Sequence, residues 1–432
     1  MGVTGRVSGV TGLIASAEGL NCPVGARCRI ESSTGSHMLA EVVGFSDRGT
    51  LLMPLGETAG LARGDRVRLE STLWQVAVGP GMLGRVVDAF ARPIDGQGPL
   101  STVDHQPIAR EPLPAMQRQR VTQPIGTGIR AIDSLLTVGL GQRLGIFAGP
   151  GIGKSVLLGM IARYTSADVV VVGLVGERGR EVKDFLEKDL GPQGLARSVV
   201  VVSTSDAPPL MRLRAGLTAT AIAEYFRDQG ANVLLLMDSI TRLATAQRQV
   251  GLAAGEPPAT KGFPPSVFSM LPVLLERAGR TETGSITGFY TVLAEGDDLT
   301  EPITDAVRAI LDGHVMLSRR IAQRGHYPAI DVTDSISRLA VDLVDAEHLR
   351  AARKVVQLVA VFKEVEDLVN IGAYVTGANV DQDVAVAMRD PIDQFLRQDI
   401  AEESRFAAGK VSLLELYRKI ETEYRKRAKK GG

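Results

Sequence analysis

The stretch RLGIFAGPGIGKSVLLGMIARY, residues 143–164, constrains the fold more than any other part of the chain. An apolar run gives way to a glycine-rich turn and then to a helix-period pattern. A turn of this kind between a strand and a helix is a phosphate cradle. Gly149, Gly151 and Gly153 let the backbone turn its N–H groups toward phosphate oxygens. Lys154 reaches the β- and γ-phosphates, and Ser155 offers a hydroxyl to Mg²⁺. Pro150, Ile152 and Val156 complete the candidate nucleotide contact. The strict pattern opens on Gly where this chain has Ala148.

The surrounding sequence supplies a sheet for that strand. DVVVVGLVGE, SVVVVSTS, NVLLLMDS and ITGFYTVLAEGDD are further buried-strand runs, mostly separated by helix-length segments. Apolar strands alternating with helices predict a parallel sheet covered on both faces. Residues 1–80 differ: short Val-, Leu- and Ile-rich runs alternate with Gly, Asp and Ser clusters, the rhythm of a small barrel or sandwich. GSHM at 35–38 reads as a hairpin tip between two such runs. After about residue 345 no strand run is evident. Val355, Leu358, Val359, Phe362, Val365 and Val369 recur at helical spacing, as do Leu413, Tyr417, Ile420 and Tyr424. The expected organisation is an N-terminal β-barrel over 1–90, an α/β unit over 91–345 and a helical unit over 346–432.

Two acids fall where phosphate chemistry needs them. Asp238 closes the apolar run NVLLLMD, at the carboxyl end of a central strand, where an Asp holds Mg²⁺ through water. Glu177, in VGERGRE, ends the strand that follows the cradle helix, so it emerges at the same sheet edge. It is the candidate general base that polarises the attacking water. Arg178 beside it is the candidate for balancing phosphate charge.

Composition excludes several classes. Lys plus Arg equals Asp plus Glu at 49 each, which argues against a protein that coats nucleic acid. Two cysteines, Cys22 and Cys28, cannot close a structural zinc site and suit a reducing compartment. No signal peptide or run of about 20 apolar residues is present, so the expected location is cytoplasmic.

The longer motifs converge on a family. GERGREV, MDSITRLATAQR, KGFPPSVFSMLPVLLERAG, FYTVLAEGDD, ILDGHVMLSRR, GHYPAID and SISRLA resemble the export ATPases of flagella and type III secretion systems, relatives of the catalytic subunits of rotary ATP synthases. The likeness spans essentially the whole chain. It implies a RecA-like parallel-sheet ATPase core between the barrel and the helical domain, with ATP and Mg²⁺ as substrate and cofactor. Lys154, Ser155, Glu177, Arg178, Asp238 and Arg242 match the family's catalytic pocket, and Arg338 its arginine finger, which enters a neighbour's site. Tyr327 matches the aromatic that stacks on adenine, and FLRQDI the segment that closes the adenine pocket, through Phe395 or Ile400.

The resemblance further implies a homohexamer, since Glu177 and Arg338 occur in one chain. It also implies a coiled-coil stalk in the central pore, met by the Gly/Pro-rich loop 250–266, and a regulator or stator-like protein. Export-gate membrane proteins, export substrates and chaperones complete the implied partners, with the enzyme cytoplasmic and peripheral at the membrane-embedded apparatus. Flagellar members usually carry a helical segment before GRVSGVTGLI; here it is either removed or lacking, which puts regulator binding through it in question. The segment EVEDLVNIGAYVTGAN resembles flagellar members. An injectisome ATPase and a rotary synthase catalytic subunit are the alternatives. A ring-shaped RNA translocase needs a basic, aromatic-rich barrel, and residues 1–80 hold only Phe45 and Trp74 as aromatics, with no dense basic run.

Overall fold

The computed structural model describes residues 3–33, 35–47, 49–293 and 301–430. Six antiparallel strands, Thr4–Thr11, Ile14–Glu18, Arg27–Glu31, His37–Ser46, Gly49–Pro54 and Arg66–Ser71, close into a barrel. Burial alternates along them, as a pleat demands: Cys28 and Ile30 are buried, whereas Arg27, Arg29 and Glu31 are half-buried on the other face. Much of the interior is small, including Ala15, Ala17, Ala26 and Ala40, so the wall closes tightly. Bulges at Val7/Gly9 and Val42/Gly44 bend the strands round. Both cysteines are free and buried, with sulfurs 4.0 Å apart. Of GSHM, Gly35 and Ser36 lie in the turn before His37–Ser46, whereas His37 and Met38 already pair with Glu31 and Ile30 in the ladder.

The barrel ends at Ser71 and not near residue 90. The strand Arg85–Val87 belongs instead to the central sheet, beside Ser198–Thr204. From one edge the sheet runs Ile330–Ser337, Gly313–Leu317, Arg143–Ala148, Ser285–Leu293, Asn232–Asp238, Val169–Glu177, Ser198–Thr204, Arg85–Val87. Among the described residues of this sheet, Ile330–Ser337 and, off the main path, Gly279–Arg280 are the strands antiparallel to their neighbours. All nine residues of Val169–Glu177 are buried. Val170, Val172 and Leu174 pack toward the cradle helix Lys154–Tyr164; Val171 and Val175 pack toward Pro209–Asp228 and Ile240–Ala253. Burial on both faces explains the unbroken valine run.

Three strands leave no apolar run in the sequence. Arg85–Val87 is only three residues long, Gly313–Leu317 alternates in burial, and Ile330–Ser337 is an edge strand with an exposed second half. The end of ITGFYTVLAEGDD, residues 294–298, lies outside the described residues.

The helices Ala346–Asn370, Val380–Ala387, Arg389–Leu396 and Phe406–Lys430 follow. Asp345 caps the first by accepting the His348 N–H at 2.9 Å. Val355, Leu358, Leu413 and Ile420 are buried in the same core that receives the cradle helix, so the helical unit continues the floor beneath the site. Behind the sheet, Arg277 donates to Glu224 at 2.9 and 2.7 Å and to the Ile108 carbonyl at 2.7 Å. That fastens the linker from the barrel. Among the described residues no helix is long and apolar enough to cross a membrane.

Candidate active site

Parallel strands bring their carboxyl ends to one edge, where α/β sheets bind ligands. Arg143–Ala148 ends at the cradle, and Lys154–Tyr164 begins with Gly153 as its cap. Gly153 has φ of 91°, a left-handed conformation, and a β-carbon there would lie 3.5 Å from the Tyr327 ring. No side chain caps this helix, so its first N–H groups and its positive pole face the loop. Arg319 donates to the Pro150 carbonyl at 3.2 Å and braces the turn from the far side.

Asp238 ends the strand Asn232–Asp238, and Glu177 ends its neighbour, with Leu174 opposite Asp238 in the register. Lys154 Nζ ion-pairs with Asp238 and lies 3.6 Å from Glu177 Oε1. The Thr291 hydroxyl donates to Asp238 Oδ1 at 2.6 Å. Ser239 accepts the Arg242 N–H at 3.3 Å and starts the helix that aims Arg242 back at the edge. There Arg242 Nη2 lies 3.3 Å from Glu177 Oε2, and Nη1 donates to the Gly176 carbonyl. Gly176 has φ of 74°, and a β-carbon on it would press on Arg242. A glycine is therefore what lets this arginine close on the acid.

Glu177 is buried, and its Oε1 has no hydrogen-bond partner among the described residues. Burial, then the charge of Asp238 and a hydrogen bond with Glu181, push its pKa up to about 7 against the pull of Lys154 and Arg242. A carboxylate titrating near neutrality with an unused acceptor atom is equipped to take a proton from water.

The other predicted residues divide. Ser155 is exposed on the first helical turn. Tyr327 packs on the cradle and, with Gly151, Ile152, Gly153 and Val156, lines a cavity of about 470 Å³. Gly149 sits at the turn itself, outside this cavity. Phe395 does not line the cavity: it is buried among the helices, and Arg397, Gln398, Asp399 and Ile400 form the wall instead. The aromatic sits on the inner face of Arg389–Leu396, whereas Ile400 follows the end of that helix and turns outward. Arg178 is not drawn into the cluster either. Its side chain is exposed and forms no ion pair among the described residues, while its N–H donates to Glu181 at 3.3 Å. Arg338 is exposed just past Ile330–Ser337; its backbone N–H donates to the Asp312 carbonyl at 3.0 Å. Its guanidinium forms no hydrogen bond or ion pair among the described residues. Sequence reasoning missed Thr291, Arg319 and Gln398. Each acts through a contact between distant segments, which no local pattern announces.

Three family descriptions cover most of the chain. The β-barrel domain of the ATP synthase alpha/beta family matches residues 1–69, its nucleotide-binding domain residues 128–337, and the T3SS EscN ATPase C-terminal domain residues 344–415. The flagellum-specific ATP synthase of Pseudomonas aeruginosa is 52% identical over 96% of this chain and 93% of its own length. The type 3 secretion system ATPase of Pseudomonas syringae pv. tomato is 47% identical over 93% and 90%. The assembled ATPase EscN of the enteropathogenic E. coli type III secretion system superposes with a TM-score of 0.91 at 46% identity, covering 96% of this chain and all of that one. A second EscN structure, in complex with its central stalk EscO, gives 0.89 at 44% identity over the same shares. With the strand-edge acids, the cradle and this likeness in hand, the chain belongs to the ATP synthase alpha/beta family, in the branch of flagellum-specific and type 3 secretion ATPases, and is an ATP-hydrolysing enzyme.

Proposed function

We propose that the chain is the ATPase of a flagellar protein-export apparatus, working as one protomer of a homohexameric ring. The observation that carries the chemistry is the convergence of Lys154, Asp238, Glu177 and Arg242 at one sheet edge beside a phosphate cradle. The cradle N–H groups and Lys154 hold the β- and γ-phosphates of ATP. Glu177 Oε1 accepts a proton from the attacking water as its oxygen bonds to the γ-phosphorus and the bond to ADP breaks. Arg242 holds that carboxylate in place, and Arg178, exposed next to Glu177 in sequence, is the further cation available to balance phosphate charge. Tyr327 and Ile400 take the adenine between them.

Mg²⁺ fits the donors present. Among the described residues no cluster of three or more His, Cys, Asp or Glu side chains could hold a metal unaided, and Mg²⁺ is usually shared between one or two protein oxygens and substrate phosphates. Asp238 and the Ser155 hydroxyl are those oxygens here. When bound, the ion neutralises charge on the β- and γ-phosphates.

Arg338 is exposed, and its guanidinium has no partner among the described residues, so it is available to reach a neighbour's phosphates. EscN has been solved assembled and with its central stalk. By analogy a coiled-coil stalk enters the pore here, near residues 250–266. A regulator, the membrane-embedded export gate, export substrates and their chaperones are the remaining partners, with the ring held at the cytoplasmic face of the apparatus. The flagellar assignment follows the higher identity to the flagellum-specific relative. Deleting the gene decides it: lost motility supports the flagellar reading, and lost virulence secretion with intact motility refutes it. Turnover per chain measured across protein concentration tests the ring. It should rise with hexamer formation, and a constant value down to the monomer would remove the shared site.

A further inference from the structure

We propose that Gln398 and Arg130 are positioning residues for the nucleotide base: they clip the outer wall of the base cavity to the turn at Gly128 and the start of the helix Arg130–Leu135, so base affinity depends on them and the hydrolytic step does not. This rests on the reading of the cavity as the adenine site.

The wall Arg397–Ile400 follows the end of the helix Arg389–Leu396 and belongs to no helix or strand. Side chains hold it instead. Gln398 is 5% exposed. Its Oε1 accepts the Arg130 N–H at 2.8 Å, and its Nε2 donates to the carbonyls of Gly128 and Glu402, each at 2.8 Å. The carboxamide's acceptor and both of its donors are thereby engaged, so it is not offered to a base. Its backbone N–H donates to the Tyr327 carbonyl at 3.0 Å, joining the wall to the residue carrying the stacking ring. Arg130 adds a second fastening: Nη1 donates to the carbonyls of Phe395 and Arg397 at 3.2 and 3.3 Å, and Nη2 pairs with Glu402.

The inner end of the wall is tied to the cradle helix. Arg163 and the Tyr164 hydroxyl both donate to the Ile400 carbonyl, at 2.9 and 3.1 Å. The helix that carries Lys154 thus also holds Ile400, and the gap between Tyr327 and Ile400 is set relative to the phosphates. Replacing Gln398 by Leu removes the partner of the Arg130 N–H and of the Glu402 carbonyl, and leaves the buried Gly128 carbonyl only the long 3.4 Å hydrogen bond from the Ser404 N–H. The cheapest relief is for the wall to swing out to water. Lys154, Glu177 and Asp238 make no contact with it.

The test is Gln398→Leu in the full chain, with steady-state kinetics and with calorimetric binding of ATP and of inorganic tripolyphosphate, which has no base. The KM for ATP should rise about tenfold or more, since several buried polar groups lose their partners. The kcat should stay within about threefold, as expected when ground and transition states lose the same contact. Tripolyphosphate should bind the variant as it binds the parent. An unchanged KM overturns the proposal. Equal loss of ATP and tripolyphosphate also overturns it, because general loosening would weaken both. Arg130→Met is the second variant, predicted to show the same split, and it decides the matter where Gln398→Leu does not fold. A parent protein that binds ATP no more tightly than tripolyphosphate would sink the adenine reading itself, an outcome separate from any result on the variants.

Discussion

Glu177→Gln separates two consequences of one buried acid. Its pKa rises from 4.5 to about 7, with burial the largest cause and the charge of Asp238 next. The folded protein therefore binds this proton more tightly than the unfolded chain does. The cost to the fold builds as pH rises from about 4.5, where the unfolded chain already ionises, and is complete above about 7, where the folded acid ionises too. Such a rise corresponds to at most about 3 kcal/mol. The cleft opens to solvent, and screening there leaves about 1–2 kcal/mol. Gln has nearly the shape of the protonated acid and never ionises. The variant should melt higher than the parent at pH 8, by about 2–4 °C per kcal/mol for a domain of this size. The gap should close as pH falls toward 5, where both side chains are neutral. ATP should still bind, and turnover should fall at least a hundredfold if the proposed general base is removed. Parallel calorimetry at pH 5 and 8 and a phosphate-release assay read all three. Near-normal turnover would remove Glu177 from the chemistry, and a lower melting point at pH 8 would show that its charge stabilises the fold.

In the parent enzyme kcat should decline as pH drops through about 7, because the protonated acid cannot accept a proton; the pH profile of phosphate release checks this. Arg338→Ala should cut ring turnover by roughly 10³-fold or more. Mixing it with Lys154→Ala should restore part of the activity, because some interfaces then pair an intact cradle with an intact finger; no recovery would place the finger in its own site. Thr291→Val removes the 2.6 Å hydrogen bond to Asp238 and should lower kcat about tenfold while leaving adenosine binding intact, read by kinetics and by titration with adenosine. Glu224→Ala strands Arg277, which is 1% exposed, and should destabilise by about 3–5 kcal/mol in denaturant unfolding, with little change in the KM of whatever remains folded.

The cradle, Asp238 and Glu177 were legible because each is a local event, a residue at the end of an apolar run. Their convergence follows from parallel strands sharing one edge, which the alternation of strand and helix already implied. What the sequence hid depends on pairing between distant segments. Thr291 is one threonine in a strand full of apolar neighbours, and nothing local marks it as the donor to Asp238. FLRQDI offers Phe395 and Ile400 alike, and helix phase decides between them by turning Phe395 into the core and leaving Ile400 at the cavity. The barrel holds a similar case. Arg27 and Arg29 lie far from Arg66 and Arg68 in sequence, so no basic run appears. Antiparallel pairing sets Arg29 opposite Arg68 and Glu31 opposite Arg66, and an arginine-rich face forms that only the register reveals.

The charges at the sheet edge give a reason for a ring. Lys154 is engaged by Asp238, and Arg242 is held by Glu177. These two cations and two carboxylates cancel when both acids are ionised. A triphosphate adds several negative charges to that edge, and phosphoryl transfer shifts more onto the leaving oxygen. The cradle N–H groups and Mg²⁺ take part of this load. Within the protomer the remaining cation nearest the reacting acid in sequence is Arg178, and it is solvent-exposed, where its field is screened. Arg338 is likewise exposed and unengaged, on a segment outside its own cavity. A neighbour's Arg338 brought over the cleft would supply positive charge in a place from which docking has removed water, where it acts most strongly. If the proposed ring forms, an isolated protomer should bind nucleotide and hydrolyse it slowly, and assembly should complete the electrostatics of a site whose acids and cradle are already in position.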